Sequence, residues 1–176
     1  MTTQILLSGF GGQGILFTGK FLAYKGLLAD KNVSWLPSYG PEMRGGTASC
    51  SVIISDEEVG SPIISQPDVL IAMNLPSFEK FEPTVKSGGI VIADSSLIDA
   101  KSTRTDIDVY YIPATALASD MGKQSLANMV ILGKLLKVMN DFNDDEIKTV
   151  LGKVIPPKKA DMLEINMKAM QLGADN

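Results

Sequence analysis

The first residues that could do chemistry are Gly9-Phe10-Gly11-Gly12-Gln13-Gly14, which follow the apolar run Gln4 to Ser8 and open a helical stretch. A glycine loop between a strand and a helix turns backbone amides and the positive end of a helix dipole toward an anion, the chemistry of phosphate recognition. A dinucleotide site also wants an acid about 20 residues on, at the end of the second strand, to hold the ribose hydroxyl. Leu36-Pro37-Ser38 offers none, and Asp30 comes before that strand. The loop residues Gly9, Gly11, Gly12, Gln13 and Gly14 therefore read as a tight turn with an anion or partner contact, and nicotinamide cofactors are expected not to bind. Gly14 to Lys20 also satisfies G-x-x-x-x-G-K, but Phe21 stands where a P-loop has Ser or Thr, and the middle of the match reads as amphipathic helix.

A second loop, Ser38-Tyr39-Gly40-Pro41-Glu42-Met43-Arg44-Gly45-Gly46, carries two charges, Glu42 and Arg44, in a setting otherwise made of Gly, Pro, Ser, Tyr and Met. A solvated turn with an incidental ion pair would account for the charges alone. The crowding of Gly40, Pro41, Gly45 and Gly46 imposes a backbone shape that such a turn does not need, so Tyr39, Glu42, Arg44, Gly45 and Gly46 are assigned to a ligand or partner loop. Cys50 alternates with apolar neighbours and reads as a buried small hydrophobe. Asn128 lies near the start of an apolar helix, where it is a tentative site residue or satisfies the helix end. Asp94 ends a short apolar run and is either catalytic or a cap for the turn that follows.

The missing residue types exclude as much as these motifs suggest. No histidine is present, so Ser-His-Asp and Cys-His catalysis and His-ligated metals fall outside this chain's own means. Cys50 is the single cysteine, too few for an iron–sulfur cluster, a cysteine-rich zinc site or an internal disulfide. The expectation is no catalytic residue and no metal site. Acidic residues number 20 against 16 basic ones, and no basic cluster interrupts them, which argues against nucleic-acid binding. No window holds the roughly 18 uncharged apolar residues a membrane span requires, and Met1-Thr2-Thr3-Gln4 has no basic signal region, so a cytoplasmic protein is expected.

The elements that must hold these residues follow from periodicity. Strands are expected over Gln4 to Ser8, Val33 to Leu36, Thr47 to Ser55, Val69 to Met73, Ile90 to Ala93 and Val109 to Ile112. The third alternates Ala48, Cys50, Val52 and Ile54 against a polar face, whereas the fourth and fifth are continuously apolar, as in a parallel sheet covered on both sides. Helices are expected over Ile15 to Ala29, up to Met121, Leu126 to Met139, Asp144 to Val154 and Lys158 to about Gln171. Gly19, Ala23 and Gly26 form a small-residue stripe that would let the first helix lie close to a sheet. Asn143 with Glu146 reads as a capping box, with Phe142 and Ile147 placed as a hydrophobic staple. Ala160, Leu163, Met167 and Met170 are expected as the buried stripe of the last helix. With 176 residues, 45% of them apolar, the chain forms one α/β domain over 1–176. Its sheet is expected to be open, mostly parallel and twisted, flanked by helices with a helical C-terminal cover. Ligands in such sheets sit beyond the carboxyl ends of the strands, which singles out Ser8 to Gly14, Ser38 to Gly46, Asn74, and Asp94-Ser95-Ser96.

The glycine loop taken with Ser38 to Gly46, Pro67-Asp68 before a strand and Asn128-Met129-Val130-Ile131-Leu132-Gly133 on a helix resembles the gamma subunit of 2-oxoacid:ferredoxin oxidoreductases over nearly the whole chain. The form Tyr-Gly-Pro-Glu-Met-Arg-Gly-Gly most resembles the 2-oxoglutarate enzymes. Pyruvate, branched-chain and indolepyruvate enzymes share the domain. The resemblance implies oxidative decarboxylation of 2-oxoglutarate to succinyl-coenzyme A with reduction of ferredoxin, carried out by a complex. Thiamine diphosphate with magnesium would sit between alpha and beta partner subunits, and iron–sulfur clusters on partner chains, in some members a ferredoxin-like delta subunit. Coenzyme A is the implied co-substrate. This chain lacks a G-D-G…N-N diphosphate motif and cluster ligands, so by itself it is expected to bind no cofactor and to be inactive. The competing readings are a free-standing nucleotide-binding enzyme and a regulatory anion-binding module.

Overall fold

A computed structural model describes residues 1–38 and 47–176. Its frame is one six-stranded sheet in the order β2-β3-β1-β4-β5-β6. The strands are β1 (Thr2–Phe10), β2 (Asn32–Ser38), β3 (Thr47–Ser55), β4 (Val69–Ala72), β5 (Ile90–Asp94) and β6 (Asp108–Ile112). The pairs β1–β4, β4–β5 and β5–β6 are parallel. β3 runs antiparallel to both β1 and β2. Continuous apolar sequence accounts for the parallel centre: all four residues of β4 are buried, and so are Val91 to Asp94 of β5. The strands expected from sequence are all present, although β1 and β2 run several residues further because backbone pairing with β3 continues past the apolar residues that mark them.

The helices are α1 (Ile15–Leu28), α2 (Leu75–Phe81), α3 (Ala114–Asp120), α4 (Ala127–Val138), α5 (Asp144–Val154) and α6 (Met162–Asp175). Helices α1 and α4 contribute Phe21, Leu22, Met129 and Ile131 to the larger core, over the sheet face that carries Ile5, Leu7, Val52, Ile71 and Ile92. A smaller core lies on the other face, where Phe78 of α2 joins Leu6, Leu70, Ala72, Val91, Ile98 and Ile107. The small-residue stripe of α1 lies on the sheet as its spacing requires: Gly19 packs against Cys50 and Trp35, and Gly26 against Val33 and Ile54.

Three features depart from the sequence reading. α2 was not expected; its short apolar content is weak, but Asn74 caps it by accepting from the Ser77 amide at 2.8 Å, and Pro76 stands in the first turn where proline starts helices. The last helix begins at Met162 because Pro157–Lys159 forms a separate 3-10 turn. Ala160 therefore lies outside the helix and is exposed, while Leu163, Met167 and Met170 pack on the core as expected, joined there by Asn166, Ala169, Gly173 and Ala174. α6 crosses α4 at two reciprocal glycines: a Cβ on Gly133 would lie 1.8 Å from the Met170 carbonyl oxygen, and one on Gly173 equally close to that of Val130. Finally, the capping box at α5 is half-formed. Asn143 accepts from the Glu146 amide at 3.1 Å, but the Glu146 carboxylate turns to Lys25 instead of back to the cap.

Candidate functional site

The site is built where β1 ends. Its glycine loop leaves the sheet at Phe10 and enters α1 through Gly14, which takes a left-handed conformation, φ 75°. A side chain at Gly14 would be strained by that φ and would also strike Asn128, whose Nδ2 lies 2.4 Å from the Cβ position. Among the described residues no side chain caps α1, so its first-turn amides have neither an intrahelical acceptor nor a capping oxygen there. Those amides and the dipole behind them are what an anion would meet.

Two neutral amide side chains fix the loop. Gln13 reaches back across it: its Oε1 accepts from the Phe10 amide at 2.6 Å, and its Nε2 donates to the Met73 carbonyl at 3.0 Å, tying the loop to the end of β4. Asn128 reaches across from α4, its Nδ2 donating to the Gly14 carbonyl at 3.3 Å and to the Thr18 hydroxyl at 3.2 Å. Its reading as a satisfier of its own helix end is thus replaced by a contact with a different element. Asp94, fully buried at the end of β5, accepts from the Ser96 amide and from the Thr115 amide and hydroxyl. Three donors occupy its carboxylate, which makes it a cap joining β5 to α3.

Two of the cavities beside the loop share Ser125. One of about 270 Å³ is lined by Gly12, Gln13, Met73, Thr115 and Gln124, all uncharged. The other, about 480 Å³, is mainly apolar, with Phe17, Leu126, Ile155 and Met162 on its wall and Lys20 and Lys159 at its margin. Cys50 is buried at 1% exposure, and burial pushes its thiol up to about 12 despite a hydrogen bond from Trp35. A thiol in that place is a packing residue, and an iron–sulfur cluster does not fit it. The structure thus brings Gly9 to Gly14 and Asn128 together. Tyr39, Glu42, Arg44, Gly45 and Gly46 lie outside the described residues. The clamp by Gln13 and the link from Thr18 to Asn128 were not foreseen. Gln at the fifth position of the loop was visible in the sequence, but its partners lie in β4, which only the fold brings near.

A mostly parallel sheet flanked by helices, with a glycine loop at its carboxyl edge, defines an α/β domain of open-sheet type, and its relatives narrow the class. Residues 4–176 match the pyruvate ferredoxin/flavodoxin oxidoreductase family, and the chain belongs to it. It is 38% identical over 172 residues to ketoisovalerate oxidoreductase subunit VorA of Methanothermobacter marburgensis, covering 98% of this chain and 36% of that protein. It thus spans about a third of that relative's length. It is 36% identical over 159 residues to 2-oxoglutarate synthase subunit KorC of Methanocaldococcus jannaschii, covering 89% of this chain and 85% of that one. Among solved structures it is similar to a 2-oxoglutarate:ferredoxin oxidoreductase from Magnetococcus marinus, solved with 2-oxoglutarate, coenzyme A and succinyl-coenzyme A bound. There the TM-score is 0.85, with 27% identity over 99% of this chain and 30% of that one. The α/β fold expected from the sequence is the fold these relatives share. Among the described residues no helix is long and apolar enough to cross a membrane.

Proposed function

We propose that this chain is the gamma-type subunit of a 2-oxoacid:ferredoxin oxidoreductase, and that its glycine loop faces the coenzyme A path at the junction with thiamine-binding alpha and beta partners. The observation that carries this reading is the uncapped start of α1, reached through a loop that Gln13 and Asn128 hold at the carboxyl edge of the sheet. Amides with no acceptor among the described residues suit a phosphate or a partner carboxylate, and the apolar cavity beside them, with Lys20 and Lys159 in its lining, suits a ligand that joins an apolar arm to an anion. Thiamine diphosphate and iron–sulfur clusters would reside on the partners, since this chain has no histidine and its one cysteine is buried.

The substrate we assign is 2-oxoglutarate, converted to succinyl-coenzyme A. The Tyr39 to Gly46 motif and the KorC relative support that choice. A branched-chain 2-oxoacid is the second reading, favoured by the similarity to VorA. The test is to express the chain with candidate alpha and beta partners and follow viologen reduction with coenzyme A and each 2-oxoacid. Turnover with 2-oxoglutarate only in the assembled complex is the expected result. Turnover by the isolated chain, or no assembly with such partners, would overturn the reading. Arg44→Ala in the same complex should lower activity about tenfold or more, because a guanidinium recognises phosphate and carboxylate by paired hydrogen bonds that alanine lacks. Unchanged kinetics in an assembled mutant would remove Arg44 from the site.

A further inference from the structure

Asn128 occupies an unusual place for an amide. It is the second residue of α4, whose other polar residues are Lys134 and Lys137, and it is only 5% exposed. Its Nδ2 leaves its own helix and donates to the carbonyl oxygen of Gly14, the hinge where the glycine loop becomes α1. The same carbonyl accepts from the Thr18 amide and the Thr18 hydroxyl, both at 3.0 Å, and Asn128 also donates to that hydroxyl. Three donors therefore converge on one oxygen, with Thr18 1% exposed and Gly14 half-buried at the wall of the larger cavity. Gln13 restrains the entry of the loop; the Gly14 cluster restrains its exit.

We propose that Asn128 is a positioning residue for the glycine loop, acting through the Gly14 carbonyl and the Thr18 hydroxyl to set the direction of the loop amides and of the first turn of α1. This goes further than the functional reading above and rests on it only for the consequence in catalysis. The physical reason is geometric. The peptide plane that carries the Gly14 carbonyl also carries the Ile15 amide, so a donor that fixes one fixes the aim of the other. A buried amide is retained at a cost in a helix core, and that cost is offset when it determines one geometry among several.

The experiment uses the full chain, alone and in the assembled oxidoreductase, with Asn128→Asp, Thr18→Val and Thr18→Ser. Asn128→Asp keeps the size of the side chain but sets oxygens against the Gly14 carbonyl oxygen. Thr18→Val removes the hydroxyl with little change of shape, and Thr18→Ser retains it. Amide hydrogen exchange of Gly11 to Phe17 in the full chain should accelerate about tenfold or more in Asn128→Asp, less in Thr18→Val and not in Thr18→Ser, with the β4 and β5 amides unchanged. In the complex the KM for coenzyme A should rise about tenfold in the same order while kcat stays nearly constant. No change in loop exchange, or a uniform rise through the chain, overturns the proposal and leaves Asn128 a packing residue. Faster loop exchange with an unchanged KM sustains the positioning role and refutes coenzyme A as the loop's ligand. Should Asn128→Asp fail to fold, the contrast between Thr18→Val and Thr18→Ser decides the question.

Discussion

The two ends of the parallel sheet are built from different materials. At the amino ends of the strands ion pairs dominate, beside a neutral hydroxyl pair of Thr2 and Ser55 at 2.7 Å. Lys31 and the amino terminus hold Asp56, Lys86 pairs with Asp68 at 2.9 Å, Arg104 with Asp106 at 2.7 Å, and Lys25 bridges Asp141 and Glu146 at 2.8 and 2.9 Å. These are all the ion pairs among the described residues. At the carboxyl ends Gln13, Asn74, Asn128 and Asp94 do the fastening, three of them neutral, through bonds to backbone amides and carbonyls or to Thr18 and Thr115 hydroxyls. On the proposed function, the difference shows how one sheet could separate stability from ligand recognition. Ion pairs at the amino end join elements where no ligand has to compete with them. Neutral amides at the carboxyl end fix the backbone without adding charge that would repel or neutralise an incoming anion.

The contrast breaks most visibly at Gly14. Gly14→Ala would force a left-handed residue, costing about 1–2 kcal/mol, and press its Cβ on Asn128. Activity of the assembled complex should fall about a hundredfold, because small misplacements at a ligand-holding loop are amplified in rate. The melting temperature should drop by only a few degrees. A loss of stability with intact kinetics would assign the carboxyl end the same structural role as the amino end.

The converse change belongs to Lys25. Its side chain is 9% exposed while those of Asp141 and Glu146 are 49% and 30% exposed. Burial alone would lower its pKa, but the hydrogen bonds and charges of the two carboxylates prevail and hold it above its ordinary value. Lys25→Met keeps the apolar stem and leaves two carboxylates facing each other. The expected loss is about 1–3 kcal/mol, below the figure for fully buried pairs because both acids reach water. Denaturant unfolding measures it, and kcat and KM of the complex should not move. A kinetic defect in a folded Lys25→Met would show that the two ends are coupled.

The same division governs what could be read from the sequence. Strands β4 and β5 were legible because burial on both faces leaves uninterrupted apolar runs, and α1 because Gly19, Ala23 and Gly26 must share a stripe. The glycine loop was legible because its conformation is local: a left-handed Gly14 declares itself in the residue type. The Asn128 contact was not, since 114 residues separate it from Gly14 and nothing on α4 itself tells a capping amide from one aimed at another helix. The start of α6 was placed too early for a related reason: the 3-10 turn at Pro157–Lys159 precedes the helix and leaves Ala160 exposed, while Leu163, Met167 and Met170 keep the expected face. Most charged links at the amino end were equally hidden, as those of Lys25, Lys31 and Lys86 join segments 18 or more residues apart, and only Arg104–Asp106 is local.

The smallest effect, and the cleanest in sign, is at Asp56. Hydrogen bonds from Lys31 first, then from the amino terminus, with both positive charges behind them, hold its carboxyl down to about 2, against an ordinary value near 3.8. A carboxyl whose pKa is lower in the folded state binds its proton more weakly there than in the unfolded chain. The pairing therefore adds stability throughout the range above about pH 4, where Asp56 is ionised in both states. That contribution fades as the pH falls from about 4 to about 2 and is absent below. Asp56→Asn removes it without changing the size of the side chain. The melting-temperature gap between the original chain and Asp56→Asn should be small and level from pH 7 to about 5, then close as the pH approaches 2. Because the groups face solvent, about 1 M salt should shrink the gap at pH 7 as well. A gap that persists at pH 2, or that ignores salt, would mean that the amino end is held by something other than its charges.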